Sequence, residues 1–212
     1  MFTTPQKAAF GTMHYLVLLL ALVLGGCIAP VSRDGATLKP GDGVLVLKAR
    51  ANMKAEMVLV PYAPSRTMEV MLAEFGKGNH ATLFMNSSDK YFVFVLPAGS
   101  YMFGRLIQFP AHSDLYGSNE IKIRPGEIIY VGDLDISFSA LASNDPAHNR
   151  ASNKVGNVHF KVTNRELEML QYMDANYPVF LRTLPLKTSI VSMHPVRDCG
   201  ARNALCAREP AR

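Results

Sequence analysis

Alternation of apolar and polar residues at period two dominates the middle of the chain. Val158, Phe160 and Val162 alternate with His159 and Lys161, Leu134, Ile136 and Phe138 with Asp133, Asp135 and Ser137, and Ile121 and Ile123 flank Lys122. Successive side chains of a strand point to opposite faces, so this pattern predicts strands with one face in a core and the other in water. Residues 43–48, 57–62 and 81–85 are short apolar runs rich in strand formers, and 90–96 is apolar almost throughout, as a strand inside a sandwich would be. Pro97-Ala98-Gly99 predicts a turn and 100–109 a returning strand with Tyr101, Phe103, Ile107 and Phe109 on one face, which together read as a hairpin. Pro125-Gly126 predicts another turn, followed by an apolar run over 127–131 that stops at Gly132.

One segment has helical period. Leu167, Leu170 and Met173 recur at helical spacing behind Thr163-Asn164-Arg165-Glu166, which fits a capping box in which Thr163 and Glu166 satisfy each other's backbone N–H groups. The helix is expected over about 164–176 and ends at Asn176-Tyr177-Pro178, because the residue before a proline is pushed out of α space. Residues 67–75 read equally well as helix or strand. Residues 140–156, rich in Asn, Ser and Ala, predict a long loop, and 28–40, with Pro30, Ser32, Gly35 and Pro40, a tether. The expected fold is mainly β, an antiparallel β-sandwich with one C-terminal α-helix.

The amino terminus has a different pattern. Its apolar run over 15–24 is roughly half the ~20 residues that a membrane-crossing helix needs. Behind Lys7, with no acid in residues 1–33, it fits a secretory signal. Leu24-Gly25-Gly26-Cys27 resembles the lipobox of bacterial lipoproteins. That resemblance implies diacylglyceryl transfer to the Cys27 sulfur, cleavage between Gly26 and Cys27, and acylation of the new amino terminus. Ile28, in place of the Asp that retains such proteins on the inner membrane, points to the outer membrane in a host that has two. The expected division is a signal peptide over 1–26, a lipidated tether over 27–42, a domain over 43–188 and a tail over 189–212.

Charge and cysteines narrow the partners. The formal net charge of +5 is spread over 22 Lys and Arg interleaved with 17 Asp and Glu, without the basic stripe that nucleic acid requires. The expected partners are therefore the membrane, through the lipid on Cys27, and an envelope protein or a cell-wall polymer. With Cys27 lipidated, Cys199 and Cys206 remain as an even pair, and an oxidising compartment predicts a disulfide between them, worth roughly 2–3 kcal/mol for so short a loop.

Leu96-Pro97-Ala98-Gly99-Ser100-Tyr101, followed by Ile123-Arg124-Pro125-Gly126-Glu127-Ile128-Ile129-Tyr130-Val131-Gly132-Asp133-Leu134, resembles a pattern of turn and core residues in uncharacterised bacterial lipoproteins. Those proteins carry a prealbumin-like β-sandwich akin to carboxypeptidase-regulatory domains. The resemblance covers about residues 43–185 and implies the fold; it brings no catalytic residues with it, and the Cys199–Cys206 tail lies outside it.

Candidate chemistry is sparse. Asp133 and Asp135 share a strand face near Glu127, a set that suits a cation or paired carboxylates, although acids on the wet face of a strand are ordinary. His112-Ser113-Asp114, expected in a loop, contains pieces of a hydrolase triad without a nucleophile elbow, and His80, His148, His159 and His194 are scattered. Met68, Met71 and Met85 suit a soft-ligand patch or, more simply, a core. Tyr91, Phe92, Phe94, Tyr101 and Phe103 likewise suit a stacking surface or a core. Neither a metal nor a cofactor is expected. The chain reads as a lipid-anchored, non-catalytic binding or accessory protein of the envelope; a glycan- or peptide-binding module is the alternative, and a metal-dependent hydrolase the alternative from another class.

Overall fold

The computed structural model describes residues 38–63, 66, 71, 81–108, 111–115, 119–138 and 158–193, with 111–114 described by backbone alone. Gly26, Cys27, Cys199 and Cys206 lie outside the described residues, as do the signal segment, the tether up to residue 37, the loop over 140–156, Met68, His80, His148 and His194. Within the described residues no helix is long and apolar enough to cross a membrane.

The described chain is mainly β, in two five-stranded sheets. The first combines β1 (Asp42–Ala51), β4 (Lys90–Pro97), β8 (Ile128–Phe138), β9 (Val158–Thr163) and β10 (Leu186–Thr188). Along one edge β8 pairs with β1; along the other it pairs with β10 in its first half and β9 in its second. The second sheet combines β2 (Ala55–Pro61), β3 (Ala81–Met85), β5 (Gly99–Gln108), β6 (Ala111–Asp114) and β7 (Ile121–Ile123), with β5 flanked by β2 on one side and by β6 and β7 on the other. Inward residues of both sheets form one core, including Leu45, Leu47, Phe92, Phe94 and Val131 from the first and Met57, Leu59, Leu83, Phe103 and Leu106 from the second. Each such side chain taken from water stabilises by ~1.5–3 kcal/mol. The outer face of the first sheet is covered by α1 (Glu166–Asn176) and α2 (Pro178–Thr183): Val44, Val46, Val93, Ile128 and Tyr130 pack on Met169, Met173, Tyr177 and Phe180.

Several expectations are corrected. The first sheet is mixed rather than antiparallel, since β1 and β10 both run parallel to β8. The expected hairpin across Pro97-Ala98-Gly99 is a corner between sheets: β4 pairs with β1, and β5 with β2. The Tyr101 hydroxyl closes that corner by donating to the Pro97 carbonyl oxygen at 2.9 Å. In β5 the register shifts between Phe103 and Arg105, so Leu106, and not Ile107, joins Tyr101 and Phe103 in the core. His112-Ser113-Asp114 lies in strand β6 rather than in a loop.

The helix forms over the expected residues, but it buries Met169 and Met173 while Leu167 of the expected face is exposed, and it lacks the capping box. Arg165 is the N-cap residue and no side chain caps it; the Glu166 N–H donates to Asn164 Oδ1 at 3.1 Å, and the Glu166 carboxylate instead accepts from the Thr188 hydroxyl at 2.7 Å. Pro178, which ends α1, opens α2, so there are two helices in place of one. Proline suits that position because a first-turn residue needs no intrahelical N–H bond. Of residues 67–75 only Met71 is described; it stands in a helical turn, buried against Val58, Val60 and Met102.

The run expected to stop at Gly132 continues to Phe138. Between the Val46–Tyr130 and Lys48–Asp133 pairs, β8 spends one residue more than β1, a bulge centred on Gly132 at φ +106°. A Cβ there would stand 2.9 Å from Val162 Cγ1 and 3.3 Å from the Thr163 oxygen. Gly132→Ala is accordingly expected to cost about 1–3 kcal/mol, from backbone strain and from that contact. Urea denaturation checks this: the midpoint falls at unchanged slope, and an unchanged midpoint would contradict a left-handed bulge.

Candidate functional site

The bulge decides which side chains meet on the outer face of the first sheet. Before it, β8 turns Ile128 and Tyr130 outward; after it, Asp133 and Asp135. On β1 the same face passes from Val44 and Val46 to Lys48 and Arg50. The cross-strand register pairs Lys48 with Asp133, and Arg50 with Asp135 and, through Asp135, with Lys161. A charged depression of about 200 Å³ results, lined by Lys48, Arg50, Asp89, Asp133, Asp135, Lys161, Thr163 and Arg165.

Most of these charges are committed to one another. Lys48 Nζ stands 2.9 Å from Asp89 Oδ2, 3.7 Å from Asp133 Oδ2 and 3.8 Å from Glu168 Oε2. Arg50 binds Asp135 and stands 3.7 Å from Asp89. The Tyr130 hydroxyl donates to Asp133 Oδ1 at 2.6 Å and accepts the Arg165 N–H at 3.2 Å, while the Arg165 guanidinium reaches Glu168 at 3.3 Å. Tyr91 stacks on Tyr172 of α1, ring centroids 4.1 Å apart, with Lys48 Nζ 5.6 Å from the Tyr91 ring. Helix α1 is therefore held to the sheet by a buried tyrosine, an aromatic stack and a set of ion pairs. Burial holds the Asp133 carboxyl above its ordinary range, against the opposite pull of Tyr130, Lys48 and Arg165. The hydrogen bond from Lys48 holds the Asp89 carboxyl below its ordinary range, and the same bond raises the lysine. Burial pushes the Tyr91 hydroxyl up to about 12.

A second depression, of about 320 Å³, lies on the outer face of the other sheet. It is lined by Lys54, Ala55, Glu56, Phe84, Met85, Asn86 and Ile107. Phe84, Glu56 and Ile107 form one cross-strand row over β3, β2 and β5. Phe84 is 60 % exposed, and Met53, in the turn after β1, is 47 % exposed. Asn86 Oδ1 accepts the Ser88 N–H at 2.9 Å, and its carbonyl accepts the Ala51 N–H at 2.7 Å, which fixes the turn beside the ring. Among the described residues, Lys54 and Glu56 form no ion pair. Nothing in the apolar run 81–85 sets Phe84 apart; the available signal is that Thr82 and Phe84 share one face of a five-residue strand.

The other candidates fall apart in space. Asp133 and Asp135 share a face as expected, but Glu127 pairs with Arg124 at 3.8 Å, and no group of three His, Cys, Asp or Glu suited to a metal occurs among the described residues. Met85 lies in the core between the sheets and Met71 on the opposite face of the second sheet. Phe92, Phe94, Phe103 and Tyr101 are core residues, and Tyr91 is spent on Tyr172. His159 is exposed on β9.

Tyr130→Phe removes one donor and one acceptor from a buried position, and a loss of about 1–3 kcal/mol is expected in urea denaturation. For Asp89, whose carboxyl is lowered in the folded state, the stabilisation is present at neutral pH and lost as acid reprotonates it. The midpoint difference between the parent and Asp89→Asn is thus expected to be full at neutral pH and to close below pH about 4, as a pH series of denaturation curves reads directly. Asp133 contributes in the opposite sense, because its raised pKa makes ionisation costlier in the folded state.

In comparisons with protein-family models, curated proteins and solved structures, nothing matches this chain.

Proposed function

We propose that the protein is a lipid-anchored component of a bacterial cell envelope, a non-catalytic binding or accessory protein held on the outer membrane and facing the periplasm. The observation that carries this reading is Leu24-Gly25-Gly26-Cys27 closing the short apolar run over 15–24. Each buried methylene contributes about 0.8 kcal/mol and a single acyl chain binds only reversibly, so the two or three chains that a lipobox cysteine receives make a durable anchor. The two sheets around one core, together with the turn and core pattern over 96–134, support a prealbumin-like sandwich as the finer description. The non-catalytic reading is supported by the pairing of Lys48, Arg50, Asp89, Asp133 and Asp135 with one another, which leaves those carboxylates serving the helix rather than a reacting group. A glycan-binding module is the second reading, favoured by the exposure of Phe84 over its depression. An oxidising compartment also calls for a Cys199–Cys206 disulfide.

Substituting the lipidation residue tests the anchor. In cells fed labelled palmitate, the parent protein is expected to carry label and to sediment with membranes, whereas Cys27→Ser carries none and is unprocessed or soluble. A correctly cleaved Cys27→Ser protein that stays on the membrane as the parent does would sink the proposal.

A further inference from the structure

We propose that the depression around Phe84 is a saccharide platform that takes a pyranose bearing a carboxylate substituent, a proposal that rests on the binding-module reading above. The two depressions differ in how their polar groups are used. In the first, nearly every charge has a partner of opposite sign within 4.0 Å, and the pairs hold α1 to the sheet. In the second, Lys54 and Glu56 have no such partner among the described residues, and an aromatic ring at its edge is 60 % exposed. An exposed ring ringed by an ammonium, a carboxylate and an amide is an amphipathic surface of a particular kind. The C–H groups on the flatter face of a pyranose carry partial positive charge and lie well against the negative face of an aromatic ring. The hydroxyls round the sugar's rim then need donors and acceptors. Glu56 supplies acceptors, Lys54 and the Asn86 amide supply donors, and Lys54 gives a carboxylate-bearing sugar its counter-charge. The volume of about 320 Å³ lies at the small end of the ~300–1,000 Å³ that such sites span, enough for one or two sugar rings.

Position in the fold agrees with this use. The chain enters the sheet at Asp42, where the Gly126 N–H meets the Asp42 carbonyl, and β1 carries it to Ala51, beside Asn86 and the second depression. At ~3.3 Å per residue, β1 sets the platform about 30 Å from the end at which the tether enters. An anchored protein would thus present Phe84 away from its own membrane. The ring is also held in place from behind: Met85 and Leu83 are core residues, and Asn86 is pinned by Ala51 and Ser88.

The test is a titration of the full-length lipidated protein in detergent with two probes, soluble muramidase fragments of peptidoglycan, which carry carboxylates, and neutral chitotetraose. Isothermal calorimetry is expected to show saturable binding of the fragments, weakened at least tenfold in Phe84→Ala and retained in Phe84→Tyr. Lys54→Ala is expected to weaken the fragments more than chitotetraose, which loses a hydroxyl donor but no counter-charge. Phe84 is an exposed side chain, so its truncation leaves folding intact, which thermal melting checks. No binding of either probe by the parent, or binding indifferent to Phe84→Ala, overturns the platform; so does Phe84-dependent binding of an extended peptide in place of sugar. An equal effect of Lys54→Ala on both probes overturns the carboxylate assignment. The titration needs no membrane: a correctly cleaved Cys27→Ser protein that stays on the membrane and still binds fragments would sink the anchor alone, and an anchored protein that binds none would sink the platform alone.

Discussion

The extra residue that β8 spends at Gly132 sets the chemistry of the whole first sheet. A strand shows alternate residues to alternate faces, and one inserted residue exchanges the faces of everything that follows. Were the same residues, Gly132 included, paired as a regular strand without the bulge, Leu134, Ile136 and Phe138 would face outward and Asp133 and Asp135 would enter the core. With it, Ile129 and Val131 before the bulge and Leu134, Ile136 and Phe138 after it all reach the same interior. The outer face is divided by the same device into an apolar half, which receives the bodies of α1 and α2, and a charged half, on which Arg165 and Glu168 pin the start of α1. Only a residue without a Cβ fits, since φ is +106° and Val162 and Thr163 pass close by.

The border between those halves is where Tyr130 works. Its ring belongs to the apolar cluster under the helices, and its hydroxyl accepts from the N-cap residue of α1 and donates to Asp133. Asp133 is costly to bury, and its raised carboxyl shows that the cost is not fully offset by Lys48 and Arg165. Buried ionic networks of this kind contribute less to net stability than to choosing one arrangement, because a misplaced helix would leave a charge unpaired. The charged depression is thereby explained by the fold, and a ligand is not needed to account for it. Among the described residues nothing comparable accounts for the exposure of Phe84 or for Lys54 and Glu56 beside it.

The period-two runs were legible in the sequence because burial of one face is a local demand that each strand meets by itself. Ile121, Ile123, Leu134, Ile136, Phe138 and Val158 all lie in the core as their alternation required. What the sequence did not disclose is long-range. The turn at Pro97-Ala98-Gly99 is the same three residues whether the chain folds back in one sheet or crosses to the other, and only the pairing of β4 with β1 decides. The parallel pairing of β1 with β8 joins residues more than eighty positions apart and leaves no local mark. Thr163 and Glu166 satisfied the capping pattern, yet the Arg165 N–H found the Tyr130 hydroxyl and Glu166 found Thr188, two tertiary partners that outcompeted a local box. Gly132 was legible as a break; that it breaks parity rather than the strand required the neighbour. The lipobox reading of Cys27 is of another kind: it rests on four adjacent residues and not on the fold, and the described residues do not include it.

Strand β1 joins the end at which the chain enters the first sheet to the rim beside Phe84. At its start the chain passes close under the second sheet, with Gly43 so near the Arg124 carbonyl that a Cβ there would stand 2.3 Å from it, and Gly126 N–H bonded to Asp42. At its end, Ala51 is tied to Asn86, and Asn52 exchanges two hydrogen bonds with Phe138, which joins the last residues of β1, β3 and β8 into one rim. Strand β1 is paired on both edges over its middle, within residues 44–49, and so transmits position with little bending from its first residues to the rim beside Phe84. On the reading proposed above, confinement to one membrane would raise the local concentration of the Phe84 surface against a polymer lying parallel to it, and individually weak contacts would suffice for retention.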